Sequence, residues 1–203
     1  EERVVVAHEG VAPHFFSAAP MADTFLEELG IPGRFVLAVG TIAPRKNLPR
    51  LLEAWRRAGL SDWSLVLAGP KGWGPELPPT PGVIPIGWVA HEKLPGLLAA
   101  ADLFCYPSLY EGFGLPPLEA MAAGTPALVG RNPAVSEVVG DAATLVDPRD
   151  VDAIAAELIR LTADEGERRR MGMAGRARAA QFTWERTART TLGAYRAALE
   201  GAG

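Results

Sequence analysis

The sequence predicts an α/β domain, with a parallel sheet covered by helices on both faces and a helical tail. Six short apolar runs alternate with helical patterns between Phe35 and Val146, and from Asp150 onward helical periodicity continues with no further strand signal. The runs are apolar throughout rather than alternating with polar residues, as strands covered on both faces are. The 203 residues, 48% hydrophobic and 22% charged, suit one domain that buries about 70% of its unfolded surface.

Taken in chain order, Val4 to Ala7 is a candidate strand. Residues 9 to 33 carry Gly, Pro and polar breaks and read as a lead-in or interdomain connection. Strands are expected at Phe35 to Val39, Ser64 to Ala68, Val83 to Ile86, Leu103 to Tyr106, Ala127 to Val129 and Thr144 to Val146. After the first strand, Leu48, Leu51, Leu52 and Trp55 share one helical face, with Asn47 as the expected N-cap. Leu94, Leu97, Leu98 and Ala101 repeat the pattern before the fourth. The tail divides into Val151 to Leu161, capped by Asp150, then Glu165 to Ala180, then Thr183 to Leu199, with Thr183 placed to cap. The expected division is a connecting segment over 1–33 and a domain over 34–203, tail helices included.

Charge and composition exclude several functions. A net charge of −4 argues against a nucleic-acid binder held by phosphate neutralisation. The charge is uneven: eight Arg against four acids between Arg160 and Arg189 leave −8 on the rest. This basic tail reads first as a solvated helix face and second as a weak attraction to anionic lipid. The one cysteine, Cys105, sits in an apolar run and permits neither a disulfide framework nor a cysteine zinc site. His8, His14 and His91 lack ligand spacing, so no metal site is expected. Asp150-Val151-Asp152 fits a D-x-D metal pattern but is better explained by Asp150 as a helix cap. There is no G-x-S-x-G elbow and no apolar run near ~18 residues. The N-terminus does not resemble a signal peptide, and a chain that starts on Glu1 rather than Met is expected to be a fragment.

Two segments carry chemistry, each just after a predicted strand. Gly40-Thr41-Ile42-Ala43-Pro44-Arg45-Lys46-Asn47 has the Gly and Lys of a P-loop at the right separation, but Arg45 and Asn47 replace its second Gly and its Ser/Thr. It also lacks the three glycines of a dinucleotide fingerprint. What remains is a Gly turn, two adjacent cations and a helix N-terminus, which together stabilise an anion such as a diphosphate. The plainer alternative is a strand-to-helix turn with solvated charges.

The second segment runs from Pro107 to Glu119. Gly112 and Gly114 admit close backbone approach to a ligand, and Pro116 and Pro117 suit a first helical turn that Gly124 later stops. Glu111 and Glu119 flank the loop, and paired carboxylates beside an anion site suit sugar hydroxyls. Individually, Glu111 is also readable as an exposed loop acid, and Glu119 as a first-turn acid compensating the helix dipole.

Together these residues resemble the C-terminal, donor-binding domain of the retaining group 1 (family 4) glycosyltransferases. EGFGLPPLE at Glu111 to Glu119 is similar to that family's E-x7-E signature, followed by Ala120-Met121-Ala122-Ala123-Gly124-Thr125-Pro126. VGTIAPRKNLPRLLEAW at Val39 to Trp55 resembles its phosphate-binding strand and helix. Ser136 to Ala142 and Phe182-Thr183-Trp184-Glu185 resemble its later landmarks, and the likeness covers about residues 34 to 199.

The resemblance implies a Rossmann-like, doubly wound sheet forming one half of a GT-B fold. It implies a hexosyltransferase of polysaccharide biosynthesis that uses a GDP- or UDP-linked sugar, with mannose the first choice, and no further cofactor. Arg45 and Lys46 would hold the donor diphosphate, aided by backbone N–H groups near Gly40, Gly114 and Leu115. Glu111 would contact the transferred sugar, with Gly112 and Phe113 beside it, and Glu119 the ribose hydroxyls. The turn Gly87-Trp88-Val89 would meet the base, through the main chain at Val89. Many members have Arg directly after the glycine, where this chain has Thr41. The partner would be an N-terminal acceptor-binding domain outside this chain, the location cytoplasmic, with a peripheral contact at the inner membrane face. Two alternatives stand beside this: a nucleotide-binding module without turnover, and a GT-B-like sugar epimerase, which would not need the full E-x7-E and Arg-Lys pattern.

Overall fold

Each predicted apolar run forms a strand in the computed structural model, which describes residues 4–200. The strands are β1 (Phe35–Val39), β2 (Ser64–Ala68), β3 (Val83–Gly87), β4 (Leu103–Tyr106), β5 (Ala127–Gly130) and β6 (Thr144–Val146). All pair in parallel in the order β3-β2-β1-β4-β5-β6. Phe35 lies opposite Ser64, Val36 opposite Leu103 and Phe104 opposite Ala127.

The period-2 geometry of a strand splits each run between two cores. Phe35, Leu37, Val66, Phe104 and Tyr106 face one side, which is covered by α4 (Leu94–Ala100), α5 (Leu115–Ala122), α6 (Pro133–Val139) and α8 (Glu165–Ala179). Val36, Leu65, Leu67, Leu103 and Cys105 face the other, beneath α3 (Leu48–Ala58) and α7 (Val151–Ala163). Burial pushes the Cys105 thiol up to about 12, so it stays protonated and inert. The expected caps at Asp150 and Thr183 form, accepting from the N–H of Ala153 and Arg186, and Thr183 opens α9 (Trp184–Glu200).

Three expectations are corrected. Val4 to Ala7 forms no strand and joins no sheet, and its three valines are exposed. The following residues are not merely a connection: α1 (Pro13–Phe16) and α2 (Asp23–Glu28) drop Val11, Phe15, Leu26 and Ile31 into the first core. Asn47 precedes α3 but makes no side-chain cap; its φ of 61° is left-handed, and its amide oxygen accepts from the Arg50 guanidinium rather than from a backbone N–H of the first turn.

The strand order places the site. The chain lays β1, β2 and β3 outward in one direction, then returns to put β4 on the opposite side of β1. In open α/β sheets ligands bind beyond the carboxyl ends of the strands where the order reverses. The loops leaving β1 and β4 meet at that point.

Candidate active site at the sheet switch point

The β1 loop, carrying Arg45 and Lys46, and the β4 loop, carrying Glu111, are fastened together by main chain. The Leu109 N–H donates to the Arg45 carbonyl at 2.8 Å. Buried Asn47 adds two ties, its amide donating to the carbonyls of Pro107 at 3.0 Å and Pro148 at 2.5 Å, so the loops after β1, β4 and β6 share one hub. Those bonds offset the ~1–2 kcal/mol cost of a left-handed residue with a Cβ.

This scaffold brings Arg45, Lys46 and Glu111 into direct contact. Arg45 Nη1 donates to Glu111 Oε2 at 2.5 Å, and Lys46 Nζ donates to Glu111 Oε1 at 2.9 Å. Tyr106 completes the cluster: its hydroxyl accepts from Lys46 Nζ and donates to Glu111 Oε1, the latter at 2.8 Å. Lys46 and Glu111 are buried, while Arg45 remains 44% exposed and free to reach a ligand.

Burial pushes the Lys46 ammonium below its ordinary range, against the hydrogen bond and charge of Glu111. Burial acts to raise the Glu111 carboxyl, but the bond and charge of Lys46, with the Tyr106 hydroxyl, outweigh it and hold the carboxyl below the usual range. The Glu111 carboxylate is therefore charged at neutral pH. Tyr106 is raised, first by burial and then by the adjacent carboxylate.

Gly112, Phe113, Gly114 and Leu115 line the same cleft of about 640 Å³ as Arg45, Lys46 and Glu111. Gly114 opens α5 at φ 115°, with Val135 only 3.1 Å from where a Cβ would stand. Leu115 is followed by two prolines, so the first turn of α5 offers few N–H donors, and the dipole acts through those of Gly114 and Leu115.

Gly40 is placed differently from expectation. Its N–H is engaged by the Ala68 carbonyl at 2.8 Å, and the residue lines an adjoining cavity of about 240 Å³ that shares Lys46 and Tyr106 with the cleft. A Cβ there would lie 2.9 Å from Lys46 Cε, so the glycine makes room for the lysine.

Glu119 and Val89 line neither cavity. Glu119 is half-buried, and burial raises its carboxyl despite the nearby charge of His91. It is the fifth residue of α5, past the first turn, so dipole compensation does not account for it. Asp150 and Asp152 are both engaged, the first as a cap and the second with Arg57, so the D-x-D pattern is structural here.

Sequence reasoning missed several residues. Tyr106 passes for an ordinary strand aromatic. His8 and Glu137, bonded at 2.6 Å, both line the cleft, though 129 residues separate them and nothing local signals the contact. Gly69, Gly72 and Gly74, which follow β2, pack against Gly40, Thr41 and Ile42; a Cβ on Gly69 would stand 2.1 Å from the Gly40 carbonyl oxygen. Three glycines in six residues after a strand was the available signal.

The sheet order defines a Rossmann-like domain, with a cleft at its switch point lined by Arg45, Lys46 and Glu111. The sequence profile of the glycosyl transferases group 1 matches residues 23–178, and the chain belongs to that family. It is 40% identical over 173 residues to the O-antigen chain mannosyltransferase B of Escherichia coli, covering 80% of this chain and 45% of that protein. It is 37% identical over 205 residues to the MMP alpha-(1->4)-mannosyltransferase of Mycolicibacterium hassiacum, covering 93% and 50%. Among solved structures, the sucrose-phosphate synthase of Thermosynechococcus elongatus superposes with a TM-score of 0.77 at 30% identity, over 96% of this chain and 52% of that one. The chain thus spans about half the length of the curated relatives it matches. No helix among the described residues is long and apolar enough to cross a membrane.

Proposed function

We propose that this chain is the donor-binding half of a hexosyltransferase that moves a sugar from a nucleoside diphosphate to an acceptor with retention of configuration. The observation that carries this reading is the meeting of Arg45 and Lys46 with the Glu111 loop at the sheet switch point. Mannose is the first choice of sugar, because both curated relatives described above are mannosyltransferases.

In this reading the sugar–phosphate bond breaks and negative charge accumulates on the departing diphosphate. Arg45, Lys46 and the N–H groups that open α5 face that charge and stabilise it without moving, which is electrostatic catalysis. These cations supply the neutralisation that the leaving group needs, so the reading calls for no metal, and EDTA should leave donor affinity unchanged. Glu111 supports the transferred sugar, Glu119 accepts from the ribose hydroxyls, and the main chain at Val89 meets the base. The acceptor site and the remaining catalytic groups belong to an N-terminal domain outside this chain. The work is cytoplasmic, and the Arg-rich tail offers a peripheral contact with the inner membrane face.

Calorimetry with GDP and UDP, followed by GDP-mannose and UDP-glucose, tests the reading. It expects one base to bind clearly tighter and the chain alone to transfer no sugar. Binding of none of the four ligands, or transfer by the isolated chain, contradicts it.

A further inference from the structure

The groups read as the diphosphate site are already bonded to an anion, and that anion is part of the chain. Glu111 Oε1 accepts from Lys46 and Tyr106, and Oε2 accepts from Arg45. A carboxylate has about four acceptor positions, and Lys46, Tyr106 and Arg45 take three of them. Lys46 has three N–H donors, two of them engaged by Tyr106 and Glu111. Lys46 cannot accept a hydrogen bond, so the Tyr106 oxygen accepts from it and the Tyr106 proton must go to Glu111. The Tyr106 ring is buried on β4, stacked on Phe104 with centroids 5.7 Å apart, so its hydroxyl is a fixed point.

We propose that Tyr106 is a positioning residue of the donor site: its hydroxyl pins the Glu111 carboxylate onto Lys46, making Glu111 the internal counter-anion that an incoming diphosphate displaces. This deepens the reading of Arg45 and Lys46 as the diphosphate site and rests on it. Before the donor arrives, the carboxylate keeps two adjacent cations compensated and in place. When the diphosphate takes them, Glu111 is released toward the sugar. One residue then serves as placeholder first and as sugar contact second, and the exchange favours a full diphosphate over a single weak anion.

The test is calorimetric binding of inorganic pyrophosphate and of GDP or UDP to the 203-residue chain, at about pH 6, where protonation of Lys46 is favoured over neutral pH when its partner is altered. Glu111→Gln should bind pyrophosphate at least ~10-fold tighter than the unaltered chain, since a charge competing at contact distance has been removed. Tyr106→Phe, which keeps the packing and the ion pair, should tighten binding by roughly threefold by loosening the carboxylate. In the Glu111→Gln background the same Tyr106→Phe change should have no effect, an outcome that a purely structural role would not produce. If the unaltered chain binds and neither variant binds tighter, the counter-anion role is wrong and the donor site stands. If Tyr106→Phe has the same effect with and without Glu111, the positioning role is wrong. If no form binds any of these ligands, the donor-site reading falls and takes this proposal with it. Circular dichroism confirms that each variant is folded, and Glu111→Ala takes the place of Glu111→Gln in both arms should the latter fail to fold.

Discussion

Lys46→Met keeps an unbranched side chain in the buried slot and deletes the ammonium that bonds Tyr106 and Glu111. At 2.9 Å and an effective dielectric of about 20, the attraction to Glu111 is roughly 6 kcal/mol. Taking an ammonium out of water costs several kcal/mol, which nearly cancels it. The lowered Lys46 ammonium shows which side prevails, since burial outweighs the carboxylate. Removing one partner of a buried pair usually costs about 3–5 kcal/mol because the other is orphaned, but here Glu111 keeps Arg45 at 2.5 Å and Tyr106 at 2.8 Å. The expected stability change at neutral pH is therefore within about 1 kcal/mol. Donor affinity should fall about 10- to 100-fold, the loss of one charge-assisted hydrogen bond to phosphate.

Glu111 adds a pH signature. Its carboxyl is depressed in the folded chain, so its stabilisation is present above the unfolded value of 4.5 and lost as pH falls through the folded value. Without Lys46, burial raises that carboxyl and acid unfolding should begin at a higher pH. Urea titration by circular dichroism and calorimetry with GDP and UDP measure both quantities. A stability loss above about 3 kcal/mol, or undiminished donor affinity, would refute the argument by making Lys46 a structural residue.

Glu119 has a raised carboxyl, so its folded form binds protons that the unfolded form releases, and stability falls as pH rises past 4.5. Glu119→Gln should therefore be the more stable protein at neutral pH in thermal melts, with the difference vanishing in acid, while discrimination between ribose and 2′-deoxyribose nucleotides is lost in binding assays. Gly69→Ala places a Cβ 2.1 Å from the Gly40 carbonyl oxygen at φ +151°, and should cost about 2–4 kcal/mol in urea titration. Asp150→Ala removes the bond to the Ala153 N–H and should cost about 1 kcal/mol with donor affinity unchanged.

The strands were legible because a parallel sheet buried on both faces needs unbroken apolar runs, and Phe35 to Val39 or Leu103 to Tyr106 can hardly be read otherwise. The helices α1 and α2 were not, since four and six residues are too few for a 3.6-residue period to declare itself. Asn47 shows a second limit: N-cap chemistry and a left-handed turn favour the same residue type, and only the three loops meeting there select between them. At the site, Arg45, Lys46 and Glu111 were readable from their motifs, and the structure brings them into contact across 65 residues of chain. Tyr106 was not readable. Strand alternation puts it on the same face as Phe104, and nothing in the sequence says that its hydroxyl, unlike the phenylalanine edge, reaches a charged pair.

The proposed function depends on recognition of a diphosphate by the Arg45 and Lys46 cluster. Calorimetric titration of the chain with GMP, GDP and GDP-mannose, and with the matching uridine series, tests it directly. Affinity should rise at least ~10-fold from monophosphate to diphosphate in the preferred series, and this step should disappear in Arg45→Met/Lys46→Met. Equal binding of monophosphate and diphosphate, or a step that survives the double substitution, would contradict it.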